Sequence, residues 1–331
     1  MLEDLVAGVI LISLITYALL GGADFGGGVW DLFASGARKQ QQRDLIADSI
    51  APVWEANHVW LILVVVLLFT AFPSGFSAIM IALHVPMLLM LLGIVFRGTA
   101  FVFRKYHIAS HGVQNAWSQV FGISSAFTPF VQGLIVGALA SGQVRMANRV
   151  PVHGYFAGWL APFPIACGLF SIALFAFLAA VYLCVDSEDS SSLSSDFRKR
   201  ALFASLALGP IAALVFFTSI KGAPVMHQQL TSWWGPILVT WTSVCAITAL
   251  VALWIRRFRL ARMAAIFQVT LILSGWGLSQ YPYLLIPDVT VATSAAPEIT
   301  LQLLLFALGV GALLLLPSLY YLFHVFKGAR R

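Results

Sequence analysis

Residues 5–33 read LVAGVILISLITYALLGGADFGGGVWDLF, a run that is almost entirely apolar. An α-helix needs about 20 mostly apolar residues to cross a bilayer, so this run predicts a membrane-spanning helix. The residues before it include Glu3 and Asp4 and no basic group, which favours a retained helix over a cleavable signal peptide. Eight further apolar runs give nine predicted spans, which are 5–33, 50–72, 76–103, 115–141, 155–185, 201–219, 234–255, 262–284 and 301–326.

The composition agrees with a polytopic membrane protein. Of the 331 residues, 60% are hydrophobic and 10% are charged, whereas soluble chains average roughly 45–50% and about 25%. The connections between the apolar runs are too short for a separate soluble domain, so we predict a single all-α membrane domain over 1–331. Cys167, Cys184 and Cys245 lie in apolar runs without the spacing of metal ligands, which indicates small core residues.

The basic residues fall mostly on alternate loops. Of the 19 Lys and Arg residues, 15 lie on one side of the nine predicted spans. Because cytoplasmic loops are enriched in Lys and Arg, this bias predicts an N-terminus outside and a C-terminus in the cytoplasm. Since the basic residues are scattered over loop ends, we expect no nucleic-acid binding. The 15 residues are Arg38, Lys39, Arg43, Arg104, Lys105, Arg198, Lys199, Arg200, Arg256, Arg257, Arg259, Arg262, Lys327, Arg330 and Arg331.

A few ionisable side chains are predicted to lie inside the membrane, where a charge is expensive and therefore indicates function. They are Asp24 in the first span, Glu55 and His58 in the second, and His84 and Arg97 in the third. At a rise of about 1.5 Å per residue, all of these except His84 reach the cytoplasmic third of the membrane. We interpret this layer as a site of proton uptake from the cytoplasm.

Each of these side chains also has a structural interpretation. Asp24 could hydrogen-bond nearby backbone where the glycines loosen the helix. Glu55 could serve only as a negative charge at the positive end of the helix dipole. Arg97 is typical of a structural counter-ion, and His58 and His84 are typical of hydrogen-bonded core residues rather than haem or metal ligands.

Four stretches of the sequence resemble a known family. They are 22–28 (GADFGGG), 49–60 (SIAPVWEANHVW), 96–98 (FRG) and 276–283 (WGLSQYPY). Through them the chain resembles subunit II of the cytochrome bd-type quinol oxidases, essentially from end to end and in the same order. The second stretch is quite specific, whereas the glycine run alone would be a weak signal.

The resemblance implies an aerobic respiratory complex of the bacterial cytoplasmic (inner) membrane that oxidises a quinol and reduces dioxygen to water. The haems b and d, or a b-type variant set, then belong to a haem-bearing subunit I, and this chain ligates none of them. The implied fold is two four-helix bundles plus one peripheral helix, which suggests a repeat of about 1–141 and 155–284 followed by 301–326. The resemblance leaves room for small accessory transmembrane subunits and for a bound quinone or lipid.

The resemblance also implies roles for individual residues. In that family the acid of the Trp-acid pair in the second helix belongs to a proton path at the subunit interface, and here this acid is Glu55. Trp60 matches a tryptophan that lines the path, and Asp24 matches the buried acid of the first helix. We therefore predict that Glu55 relays protons, with Asp24, Trp60 and His58 beside it and Arg97 as the charge partner.

Two other interpretations stay open on the sequence. A secondary transporter would explain buried charges and broken helices, although the charges cluster toward one side of the membrane and no inverted repeat is detectable. A purely structural scaffold subunit would need no proton role for Glu55.

Overall fold

The computed structural model describes residues 1–106, 111–147, 150–151, 154–156 and 158–325. Helices dominate these residues, and two short antiparallel strand pairs, β1–β2 and β3–β4, accompany them. The helices are α1 (Leu2–Leu32), α2 (Lys39–Ile50), α3 (Trp54–Ala71), α4 (Pro73–Ala82), α5 (His84–Tyr106), α6 (His111–Ser141), α7 (Pro162–Asp186), α8 (Ser191–Gly222), α9 (Pro224–Leu230), α10 (Gly235–Trp254), α11 (Phe258–Gln280), α12 (Val291–Ser294) and α13 (Glu298–Phe323). The strands are β1 (Met146–Ala147), β2 (Val150–Pro151), β3 (Tyr283–Leu285) and β4 (Val289–Thr290).

Nine helices among the described residues are long and apolar enough to cross a membrane. They are α1, α3, α5, α6, α7, α8, α10, α11 and α13. The number of spans predicted from apolar run length is therefore confirmed, because length and hydropathy are the properties that membrane crossing demands.

Two spanning helices begin well after the residues predicted for them, and proline accounts for both delays. The predicted span 76–103 is divided into α4 and α5, because Pro86 has no N–H with which to continue the helical hydrogen bonds. The predicted span 155–185 begins at Pro162, in the first turn of α7. Proline suits that position, since its nitrogen needs no helical acceptor there.

Two polar segments expected as connections are helical instead. The amphipathic helix α2 buries Gln42, Ile46 and Ile50, and the polar residues 191–200 form the first turns of α8. The two segments bind each other, since Arg38 Nη2 and Gln42 Nε2 donate to the carboxylate of Asp196 at 2.7 Å and 2.9 Å. Tertiary hydrogen bonds thus stabilise helices that the hydropathy pattern does not reveal.

The spanning helices form two four-helix bundles and one peripheral helix, as the sequence resemblance implies. In the first bundle α1 packs against α3 and α6, and α5 packs against α6. The second bundle is a ring in which α7 contacts α8, α8 contacts α10, α10 contacts α11, and α11 contacts α7. Helices α1 and α6 also pack against α7, which joins the bundles. Helix α13 packs on α1 and α3, and most of its remaining surface is exposed.

Several of the basic residues counted above meet at one end of the molecule. Arg38 pairs with Asp196 at 2.7 Å near the start of α8, and Arg104 pairs with Asp31 at 2.8 Å at the ends of α5 and α1. Arg198 donates to the last carbonyl oxygens of α10. That this end faces the cytoplasm stays a prediction from the charge bias.

The two bundles approach most closely where the glycines of α1 meet α7. A Cβ atom at Gly26 would overlap the carbonyl group of Phe175, and Trp30 Nε1 donates to the carbonyl oxygen of Ala176 at 2.7 Å. Small residues allow membrane helices to pack backbone against backbone, where van der Waals contact and hydrogen bonds replace the hydrophobic effect. Gly26 therefore determines how closely α1 and α7 pack.

We expect Gly26→Ala to lower the stability of the assembled protein by about 1–3 kcal/mol, because the added methyl group forces the two helices apart. Thermal unfolding of the purified complex in detergent measures this. Gly8→Ala is the matched control, since Gly8 lies on the same helix with open space around its Cβ position. Equal unfolding temperatures for the two variants would contradict the close packing.

Candidate functional site

One face of α1 brings polar side chains into the first bundle. Tyr17, Asp24 and Asp31 follow one another at intervals of seven residues, so they lie on the same face of the helix. Asp24 is 6% exposed and Asp31 is 0% exposed. Tyr17 is also buried, and its hydroxyl group accepts a hydrogen bond from Gln132 Nε2 of α6 at 2.8 Å. This polar face of α1 is therefore directed into the bundle.

Asp24 lies beside an amide and a guanidinium group. Asn57 Nδ2 of α3 donates to Asp24 Oδ2 at 2.7 Å, and Arg97 of α5 interacts electrostatically with the Asp24 carboxylate. The Arg97 guanidinium carbon lies 4.6 Å from the centre of the Phe25 ring and 5.4 Å from the centre of the Phe121 ring. Aromatic faces attract a cation, so these two rings stabilise the buried guanidinium group in the same bundle interior as the Asp24 carboxylate.

His58 joins this cluster through its ring. The ring centre lies 5.9 Å from that of Tyr17, 5.8 Å from that of Phe25 and 6.3 Å from that of Trp54. Within the part of the chain that the structure describes, no three His, Cys, Asp or Glu side chains are grouped so that they could hold a metal ion. The surroundings of His58 are those of a packed aromatic residue.

Glu55 lies apart from the buried cluster. It is exposed in the first turn of α3, whereas Asn57 is buried and His58 contacts α1. Val59 and Ile62 are exposed further along the outward side of α3. Glu55 therefore lies on the surface of this chain, whereas Asp24 and Arg97 are buried and the ring of His58 packs against Phe25. That these four groups share one depth in the membrane stays a prediction.

Several buried polar atoms of the first bundle have no hydrogen-bond partner among the described residues. They are Arg97 Nε and Nη2, Asn57 Oδ1, Trp60 Nε1 and Ser125 Oγ. Buried polar atoms in proteins are almost always hydrogen-bonded, either to protein or to internal water. Donors and acceptors are both present in this group, so internal water could hydrogen-bond to them.

A second buried acid, Asp31, was not predicted from the sequence. Asp31 Oδ1 accepts a hydrogen bond from Arg104 Nη1 at 2.8 Å, and Asp31 Oδ2 lies 3.6 Å from Arg43 Nε of α2. Arg104 follows Arg97 by seven residues, as Asp31 follows Asp24. The same offset between α1 and α5 thus relates two acid–arginine pairs, and this repeated spacing is the signal that would have revealed the second pair. No comparable pattern in the sequence predicts the hydrogen bond that Asn57 donates to Asp24.

The chain is similar to known proteins over its length. The family model for cytochrome bd terminal oxidase subunit II matches residues 2–326. Cytochrome bd-I ubiquinol oxidase subunit 2 of Escherichia coli (strain K12) is 32% identical over 182 residues, which are 54% of this chain and 46% of that protein. The matched region thus spans about half the length of this relative. A putative cytochrome bd menaquinol oxidase subunit II of Bacillus subtilis (strain 168) is 23% identical over 95% of this chain and 92% of the relative.

The fold is also similar to a solved structure. A chain in the structure of bd oxidase from Geobacillus thermodenitrificans matches with a TM-score of 0.76 and 23% identity, over 98% of both chains. This likeness shows that the two chains share a fold. Together with the family match over residues 2–326, it leads to one conclusion: the chain is a multi-pass bacterial inner-membrane protein that belongs to the cytochrome bd terminal oxidase subunit II family.

Proposed function

We propose that this chain is the haem-free subunit of a quinol:oxygen oxidoreductase, in which it stabilises the haem-bearing subunit I and conducts protons from the cytoplasmic side. The observation that supports the proton role most directly is the buried Asp24–Asn57–Arg97 cluster. Ionisable groups are rare inside membrane proteins and commonly mark proton or ion pathways. A carboxylate beside several unpaired buried donors and acceptors is a group that can accept a proton and release it.

The surface that bears Glu55 supports the proposed partner. Val59, Ile62, Val66 and Phe69 form an exposed apolar stripe on α3, and Glu55 lies at its inner end. A carboxylate on a surface in contact with lipid is costly, whereas a subunit that covers the stripe could hydrogen-bond to it. We propose that subunit I packs here, and that Glu55 takes a proton from cytoplasmic water and passes it into subunit I.

The haems of the complex are assigned to subunit I. The His58 ring is surrounded by the rings of Tyr17, Phe25 and Trp54, and we assign it a packing role. In this proposal the chain contributes no redox step. Its residues hold and move protons, with Asp24 as the acid of the bundle interior and Glu55 as the acid at the interface.

We expect Glu55→Gln to reduce oxygen consumption of the complex with reduced quinol by roughly tenfold or more, because the amide cannot take up a proton. The rate is measured per haem, so that incomplete assembly does not imitate slow turnover. Glu298→Gln is the matched control, since Glu298 is also an exposed acid in the first turn of a spanning helix. Unchanged turnover in Glu55→Gln at full haem content would reject the relay.

A pair of substitutions separates the proton role from a purely structural one. Arg97→Gln removes the cation that acts electrostatically on the buried Asp24 carboxylate, so we expect a loss of stability of about 3–5 kcal/mol. Adding Asp24→Asn removes that charge and should restore most of the thermal stability, while oxygen consumption stays low. If the double variant regained activity together with stability, the cluster would be a scaffold and not a proton path.

A further inference from the structure

We propose that Asp31 and Ser125 form the cytoplasmic branch of the proton path, which brings protons to Asp24 through the interior of the first bundle. This inference rests on the proposed proton role of Asp24 and goes beyond it, because it names two residues and a route that do not involve the exposed surface of α3.

Ser125 of α6 has a buried hydroxyl group in an unusual setting. The residue is 0% exposed, and its Oγ atom forms no hydrogen bond with any described residue. Buried serines in helices usually donate to a carbonyl oxygen of the preceding turn, as Ser124 Oγ does to the carbonyl oxygen of Val120 at 2.7 Å. The Ser125 hydroxyl group is therefore free to bond to a group that does not belong to its own helix.

The position of this hydroxyl group is fixed by Gly28. A Cβ atom at Gly28 would overlap Ser125 Oγ, so the hydroxyl group lies directly against the α1 backbone. Gly28 comes four residues after Asp24 and three residues before Asp31, on the same face of α1. The helical rise places Ser125 Oγ about 6 Å from the level of Asp24 and about 4.5 Å from that of Asp31. A single bridging water on each side fits these separations.

Asp31 connects this hydroxyl group with the end of the molecule. Its Oδ2 atom forms no hydrogen bond among the described residues, although Arg43 Nε lies 3.6 Å away. The side chains of Arg43 and Arg104 are 15% and 14% exposed, whereas that of Asp31 is 0% exposed. The two arginines thus hold the buried carboxylate while they reach the aqueous boundary, and water beside them can supply a proton to Oδ2.

Phe121 closes the alternative route between the two acid–arginine pairs. The centre of its ring lies 5.4 Å from the guanidinium carbon of Arg97 and 4.8 Å from that of Arg104. An apolar ring between the two cations offers no hydrogen bond to a migrating proton. The hydroxyl group of Ser125, one turn further along α6, offers both a donor and an acceptor.

The transfer is a proton exchange in which no bond between heavy atoms changes. A proton from cytoplasmic water binds Asp31 Oδ2 and then passes through a bridging water to Ser125 Oγ. As Ser125 Oγ gains this proton, it releases its own proton through the second water to the Asp24 carboxylate. Rotation of the hydroxyl group resets the path, so one proton moves and Ser125 is unchanged.

The test is Ser125→Ala in the assembled complex, with Ser124→Ala as the matched control on the neighbouring residue. Alanine removes one oxygen atom that has no partner in the described chain, so haem content should stay at the parent level. We expect oxygen consumption per haem to fall roughly tenfold and the rate ratio between H₂O and D₂O to rise, because proton delivery becomes limiting. Ser124→Ala should change neither quantity.

The outcomes separate this branch from the proposed function. If Glu55→Gln slows turnover and Ser125→Ala behaves as Ser124→Ala does, the proton role survives and the Asp31–Ser125 branch is overturned. If neither Glu55→Gln nor Ser125→Ala slows turnover, the proposed function is rejected as well. A Ser125→Ala complex that loses its haems would also overturn the branch, since the hydroxyl group would then be needed for assembly.

Discussion

A buried carboxylate and a buried guanidinium group must stay together inside a membrane, and the first bundle is organised around this requirement. Each charge alone would be very costly in a medium of low dielectric constant. Asp24 comes from α1, Asn57 from α3 and Arg97 from α5, while Phe121 of α6 contributes an aromatic face to the cation. All four helices of the bundle therefore meet at this pair, and any change in their packing alters its surroundings.

Helix α1 connects this chemistry with the architecture of the whole chain. Gly26 allows α1 to contact the α7 backbone, and Gly28 allows Ser125 to contact the α1 backbone. The same segment thus joins the two bundles on one side and exposes its acids to the bundle interior on another. Because lipid supplies no hydrophobic force between helices, these close contacts hold α1 against α6 and α7.

Much of this arrangement could be predicted from the sequence, and the failures have physical causes. Apolar run length predicted nine spans, and residues 22–28 and 49–60 predicted the family. The hydropathy pattern could not show that Glu55 is exposed while Asn57 is buried, because α3 is almost uniformly apolar and the pattern does not distinguish the face that packs on α1. Asp31 was overlooked because it ends an apolar run, where hydropathy cannot distinguish a solvated acid from a buried one.

If Asp24 carries protons, its carboxyl group must change protonation during turnover. Infrared difference spectroscopy of the assembled complex, recorded between the oxidised and reduced states, measures this through the carbonyl stretch of a protonated carboxyl group. We expect such a band in the parent complex, a shift of the band in D₂O, and its loss in Asp24→Asn. An identical difference spectrum in Asp24→Asn at full haem content would show that Asp24 keeps one protonation state and carries no proton.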